Sequence, residues 1–250
     1  MMNVYTLYFL FIGILLATVS VVFISLLFFA APYGRHTKKG FGLMMPARLS
    51  WVLMELPAVL CFLYFFLMTP NCGVAYIFLI MWEMHYINRT FIFPFLLKHP
   101  KPIPVLIPMM GAAFNFMNAY VNGFSVTQLN SYDIAWLYDP RFVIGMILFI
   151  SGFLINLQSD RILRHLRKPN ESEYKIPQGG LFQWVTCPNY LGEIIEWLGW
   201  AVATWTLAGL LFAIWTIANL LPRALSHHRW YLEKFSDYPK NRRALFFWII

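Results

Sequence analysis

The chain has 250 residues, of which 60% are hydrophobic and only 12% are charged, with a formal net charge of +8. Globular chains average about 25% charged residues because a water-facing surface must be solvated, so this composition excludes a soluble fold and puts lipid in the place of water. The positive charge does not mark a nucleic-acid partner: the cations are not massed in one tail, and long apolar runs separate them.

A helix needs about 20 apolar residues to cross a hydrocarbon core roughly 30 Å thick. Runs of that length predict an all-α polytopic membrane protein, a single bundle of seven transmembrane helices. The spans cover about 4–31, 46–68, 74–97, 103–123, 139–158, 188–206 and 207–224. Ala30, Ala31 and Pro32 mimic a leader cleavage site. The first run is nevertheless far longer than the apolar core of a signal peptide and no Lys or Arg precedes it, so it is read as a span.

The cations orient this map. Arg35, Lys38, Lys39 and Arg48 follow span one, Lys98 and Lys101 span three, Arg161, Arg164, Arg167, Lys168 and Lys175 span five, and Arg229, Lys234, Lys240, Arg242 and Arg243 span seven. All fall on one side, leaving Arg141 alone near the other. Cytoplasmic loops are enriched in Lys and Arg. The expected topology therefore has the N-terminus outside and the C-terminus in the cytoplasm, in a bacterial inner membrane or the endoplasmic reticulum. With no internal repeat, low-complexity tract or long linker, residues 1–250 read as a single domain. Cys61, Cys72 and Cys187 lie far apart without a Cys-x-x-Cys spacing and are read as packing residues.

Ionisable residues inside a membrane are costly and are functional candidates by default. Glu55 sits within span two with no cation at helical spacing. It is suited to hold or donate a proton, or it is a hydrogen-bonded structural residue. In span three, Glu83, His85, Tyr86, Asn88, Arg89 and Thr90 occur within eight residues. Positions 82, 86, 89 and 93 share one helical face, so Tyr86 and Arg89 point together. A phenol set against Glu55 makes a proton-donating pair, and the guanidinium suits an anion; the alternative is a hydrogen-bonded seam between helices.

Asn156, Asp160, Arg164 and Arg167 form one stripe on the helix leaving the membrane after span five. Arg forks match phosphate, and Asp or Asn accepts from ribose hydroxyls, so the stripe suits a polyanionic cofactor or, alternatively, anionic lipid headgroups. In span six, Asn189, Glu193 and Glu196 share a face, with Arg223, His227, His228, Arg229 and Tyr231 as candidate partners. One His-His pair without a His-rich box does not indicate a metal, and none is expected. The loop at 176–182 packs one Pro and two Gly into a sharp turn or a close approach. No Gly-x-Gly-x-x-Gly follows a strand and no Walker loop occurs, so any nucleotide site must be built by the helices.

These residues resemble the steroid 5α-reductase family, membrane enzymes that reduce a 4-ene-3-oxosteroid with NADPH. The similarity spans nearly the whole chain after the first helix. It is carried by Pro-Tyr-Gly-Arg-His-Thr (32 to 37), Glu-Leu-Pro (55 to 57), His-Tyr-Ile-Asn-Arg-Thr-Phe (85 to 91) and Ser-Asp-Arg-Ile-Leu-Arg-His-Leu-Arg-Lys-Pro (159 to 169). Ile-Pro-Gln-Gly-Gly-Leu-Phe (176 to 182), Asn-Tyr-Leu-Gly-Glu-Ile-Ile-Glu-Trp (189 to 197) and His-His-Arg-Trp-Tyr-Leu (227 to 232) complete it. The resemblance implies that Glu55 and Tyr86 are the catalytic proton donors at the steroid 3-oxo group. It places NADPH against Arg89, Asn156, Asp160, Arg164, Arg167, Asn189, Glu193, Arg223, His227 and Tyr231, with cytosolic loops and the C-terminal tail forming the cofactor pocket. Trp51, Met54, Met110 and Phe114 are the expected substrate-binding residues.

Two positions depart from the steroid-active animal enzymes. Met54 stands where a Gln usually precedes the acid, and Met110 leads a segment usually opened by Arg. Both changes remove polar groups near the expected substrate cavity and bear on substrate identity more than on reaction type. The compact N-terminus and the lack of a long lumenal insert suit a bacterial member, and a monomer is expected. An isoprenylcysteine-type membrane methyltransferase is a second reading, disfavoured because S-adenosylmethionine bears no phosphate for Arg164, Arg167 and Arg223. A small proton-coupled transporter relaying through Glu55, Glu193 and Glu196 is a third, but it calls for inverted repeats that the chain lacks.

Overall fold

Long apolar runs become long helices. The computed structural model describes residues 3–29, 42–69, 72–98, 100–166 and 174–246. Helix α1 is Val4–Phe28 and α2 is Ala47–Met68; α3, Tyr76–Ile87, runs through a π turn at Asn88–Ile92 into the short α4, Phe93–Leu96. Then follow α5 (Leu106–Phe124), α6 (Pro140–His165), α7 (Pro188–Thr204) and α8 (Leu207–Lys234). Two short strands, β1 (Met44–Met45) and β2 (Ile103–Pro104), pair antiparallel and tie the start of α2 to the start of α5.

The chain is thus an all-α membrane protein. Four described helices, α1, α2, α6 and α8, are long and apolar enough to cross a bilayer. Each of the seven expected spans contains helix, but with different bounds. The span expected at 139–158 continues to His165 and the one at 207–224 to Lys234. No helix breaker follows either apolar stretch at once, so each helix carries its polar residues beyond it.

Local chemistry sets the ends. Asn3 accepts from Thr6 N at 2.8 Å, Asp139 from Arg141 N at 2.8 Å and Thr206 from Gly209 N at 2.9 Å, each occupying an amide that the first helical turn leaves unbonded. Pro140 and Pro188 open α6 and α7, where a missing N–H costs nothing. Trp205 adopts a left-handed conformation, φ 51°, and turns the chain from α7 into α8.

Helices α6 and α7 pack backbone against backbone. A Cβ on Gly145 or Gly152 of α6 would collide with the main chain of Ala203 or Glu196, and one on Gly192 or Gly199 of α7 with that of Asn156 or Phe149. Without side chains at these crossings, van der Waals contact between the helices is closest where lipid offers no hydrophobic drive.

An aromatic core fills the space among α2, α3, α7 and α8. Phe62 stacks on Trp82 with centroids 4.4 Å apart, and Trp82, Trp197, Trp200 and Phe212 complete the cluster. Three buried indole N–H groups have backbone or side-chain acceptors: Trp82 donates to Ala58 O at 3.1 Å, Trp200 to Asn122 Oδ1 at 2.9 Å, and Trp215 to Leu15 O at 2.8 Å, the last tying α8 to α1. At one end, residues 243–244 run beside 184–187. Thr186 N donates to Arg243 O at 2.8 Å and Arg243 N to Trp184 O at 2.9 Å, while Leu245 is buried with Val185, Leu191 and Leu220. The loop at 176–182 turns through Gly179 and Gly180, φ 88° and 51°, and Arg242 grips it by donating to Pro177 O and Gln178 Oε1, each at 3.0 Å.

Candidate functional site

Beside the aromatic core, toward the end of the bundle where α2, α5 and α7 begin and α1, α6 and α8 draw to a close, the helices part around a cavity of about 680 Å³. Much of its wall is apolar: Val22 and Leu26 of α1, Trp51 and Met54 of α2, Ile107, Met110 and Phe114 of α5. Gly111 lies directly beneath the Met54 side chain, which occupies the space a Cβ there would need. The polar part of the wall comes from Arg89, Asp160, Asn189, Glu193 and Arg223.

Glu55 and Tyr86 line this same cavity. The hydrogen bonds that join them run through a third residue rather than directly. Asn115 Nδ2 donates to Glu55 Oε2 at 2.9 Å and to Met54 O at 2.8 Å, and the Tyr86 hydroxyl donates to Asn115 Oδ1 at 3.4 Å. Tyr86 is held from behind by Trp82, with ring centroids 4.8 Å apart. Beside it, His85 Nδ1 meets Glu196 Oε1 at 2.9 Å.

The π turn brings Arg89 into the cavity wall, where its guanidinium lies 4.9 Å from the Trp51 ring and 4.6 Å from that of Phe93. It faces Asp160 Oδ2 at 3.5 Å, and Asp160 Oδ1 accepts from Asn189 Nδ2 at 3.3 Å. Asn156 stands behind, donating to Asn189 O at 3.0 Å. Arg164 is half-buried one turn further along α6. His227 meets the Tyr190 hydroxyl, itself on the wall, at 3.2 Å. Tyr231 is buried away from the cavity, stacked on Phe235 and Tyr238. Arg167 and the 32–37 segment lie outside the described residues.

The family model for 3-oxo-5-alpha-steroid 4-dehydrogenase matches residues 101–249. The chain is 45% identical over 221 residues to 3-oxo-5-alpha-steroid 4-dehydrogenase 1 of Macaca fascicularis, covering 85% of this chain and 82% of that protein. The chain belongs to the 3-oxo-5-alpha-steroid 4-dehydrogenase family. It is also 42% identical to steroid 5-alpha-reductase DET2 of Solanum lycopersicum over 231 residues, 90% of each chain. Identity to the human 3-oxo-5-alpha-steroid 4-dehydrogenase 2 is 43% over 221 residues, 85% of each. Membership makes this chain an oxidoreductase acting on CH–CH groups.

A reductase of this family calls for an electron donor, and the polar wall has the chemistry to hold a phosphorylated dinucleotide. Arg89 and Arg223 offer planar forks for phosphate oxygens. Asp160 and Glu193 accept from hydroxyls, and the Asn189 amide both donates and accepts.

Two features escaped the sequence reading. Asn115 was not singled out, although Asn115, Asn118 and Asn122 recur at three- and four-residue spacing on one face of an otherwise apolar helix. Glu196, expected to find a partner in the C-terminal segment, pairs instead with His85 of α3. It lies a turn deeper along α7 than Glu193, facing the aromatic core. His228, another expected partner, meets Thr186 Oγ1 at 2.6 Å.

Proposed function

We propose that this protein reduces the 4,5 double bond of 4-ene-3-oxosteroids, or of a similar enone lipid, with NADPH as the reductant. The observation that carries the reading is a single cavity lined by an apolar wall, an acid and a phenol, and two guanidinium groups. Its volume of about 680 Å³ falls within the roughly 300–1,000 Å³ of small-molecule sites. The relatives are named for acting on a 3-oxo-5-alpha-steroid or as steroid 5-alpha-reductases, which supports a steroid in the apolar part.

NADPH, when bound, supplies a hydride for the far carbon of the enone. Arg89, Asp160, Asn189, Glu193 and Arg223 are the wall residues that would hold it, supported by Asn156, Arg164, Arg167, His227 and Tyr231. Glu55 and Tyr86 act at the other reactant. The phenol proton, offered to the 3-oxo oxygen, draws electron density from the conjugated double bond, and the Glu55 carboxyl strengthens that pull. Trp51, Met54, Met110 and Phe114 present apolar surface to the steroid rings and keep water from the reacting carbons.

The same reading takes all seven helical segments as one membrane domain, with the cavity in its cytoplasmic half and the N-terminus outside. A monomer is taken as the working unit. The deciding experiment is NADPH oxidation by detergent-purified protein with and without testosterone or progesterone, followed by the product mass. A gain of two mass units is expected. NADPH oxidation that does not respond to any enone would sink the proposal.

A further inference from the structure

Glu55 and Tyr86 share one hydrogen-bond partner, Asn115 of α5, a buried residue flanked in sequence by Phe114 and Phe116. Its orientation is fixed by elementary hydrogen-bond chemistry. A backbone carbonyl only accepts, so the amide group 2.8 Å from Met54 O must be the NH2. That same nitrogen lies 2.9 Å from Glu55 Oε2, so both of its hydrogens have acceptors. Asn115 Oδ1 is left to face the Tyr86 hydroxyl at 3.4 Å, and the hydroxyl must therefore donate.

An amide N–H does not ionise in the working range of an enzyme, so no proton passes from Glu55 to Tyr86 through this residue. What it can do is hold both groups at once. Its two donors fix the carboxyl against α2, and its oxygen sets the direction of the phenol hydrogen through a bond long enough to be exchanged readily for one to a substrate oxygen.

We propose that Asn115 is a positioning residue that keeps the Glu55 carboxyl and the Tyr86 phenol in one fixed arrangement, each with a face open to the cavity. This rests on the reading of Glu55 and Tyr86 as the proton-donating pair and adds a third member to it. Asn115 touches neither reacting atom. Its contribution is to spare the pair the reorganisation that a loosely held acid and phenol would undergo at each turnover.

The test uses three full-length proteins in detergent: wild type, Asn115→Leu and Asn115→Asp. In each, NADPH affinity is measured by equilibrium binding, and kcat, KM and the pH dependence of kcat are measured with testosterone. Asn115→Leu removes all three contacts at similar volume. It is expected to lower kcat by about 100-fold, the scale of a misplaced catalytic group, with KM and NADPH affinity within about threefold of wild type. Asn115→Asp keeps the shape but, ionised, donates to neither Met54 O nor Glu55. Its kcat should fall at neutral pH and recover as the pH is lowered, because a proton on either carboxyl restores a donor between them.

The charged and titratable groups facing the pair are His85 and Arg89 from α3 and its π turn and Glu193 and Glu196 from α7, with Asp160 of α6 and Arg223 of α8 on the same cavity wall. All are unchanged in the variants, so a displaced pH profile belongs to position 115. Wild-type kcat in Asn115→Leu, or an unshifted pH profile in Asn115→Asp, overturns the proposal, and if the leucine variant does not fold the aspartate variant alone decides it. A wild-type protein that binds NADPH yet reduces no enone overturns the functional reading itself, and this inference with it.

Discussion

His85 Nδ1 and Glu196 Oε1 lie 2.9 Å apart, with 5% and 0% of their side chains exposed. The pair joins α3 to α7 beneath the cavity, and neither partner has water to turn to if the other is lost. Removing one partner of a buried hydrogen bond costs about 1–3 kcal/mol, most of it the other group left unsatisfied. Glu196→Leu is therefore expected to lower the unfolding temperature in detergent markedly. The double replacement with His85→Leu should lose less than the sum of the two single changes, and strict additivity would show that the pair is not coupled.

Glu55→Gln keeps an oxygen for Asn115 Nδ2 while removing the acid. It is expected to retain NADPH affinity and to lose about 100-fold or more in turnover, the scale of general-acid catalysis. Steady-state kinetics beside equilibrium cofactor binding separates the two, and an equal loss in both would move Glu55 from the substrate to the cofactor.

Arg223→Ala should weaken NADPH binding about 10- to 100-fold with the fold intact, because one charge-assisted contact is worth roughly 1.5–3 kcal/mol. Cofactor titration with a parallel unfolding curve measures this, and Arg167→Ala is expected to behave alike. Unchanged affinity in either variant removes that arginine from the cofactor site.

His228 lies past the apolar stretch of α8, where burial and then the Arg243 charge hold its imidazole below its usual value. The unfolded chain, with a His value near 6.5, therefore takes up a proton more readily than the folded one. The stabilisation is complete above about pH 6.5 and is lost as pH falls below it. Unfolding temperatures at pH 8 and pH 5.5 should differ more for wild type than for His228→Gln; equal differences would assign the acid sensitivity elsewhere.

Gly152→Ala is expected to destabilise the protein, since the added methyl meets the backbone of Gly192 and Glu196. Gly13→Ala on α1 is the control, with nothing near its added carbon. Thermal unfolding of the two variants compares them, and equal unfolding temperatures would contradict the contact.

Apolar length made the helices legible, because the thickness of lipid sets it. The bounds of α6 and α8 were less so, since a helix continues until something stops it and the membrane surface is not such a stop. The grouping of Tyr86 and Arg89 followed from helical spacing, and both do line the cavity. Contacts between distant helices did not follow. Asn115 is 60 residues from Glu55 and 29 from Tyr86, and Glu196 is 111 from His85, so only packing could show that they meet.

The glycines of α6 and α7 also have a bearing far from where they sit. Gly145 and Gly152 on one helix, and Gly192 and Gly199 on the other, recur at seven-residue intervals and interlock. Sliding one helix past the other by a turn, about 5.4 Å, would bring side chains to crossings that admit only backbone. The seam is thus a register key. It sets the height at which Asp160 meets Asn189, so the alignment of the polar end is decided well inside the bundle by residues with no functional groups of their own.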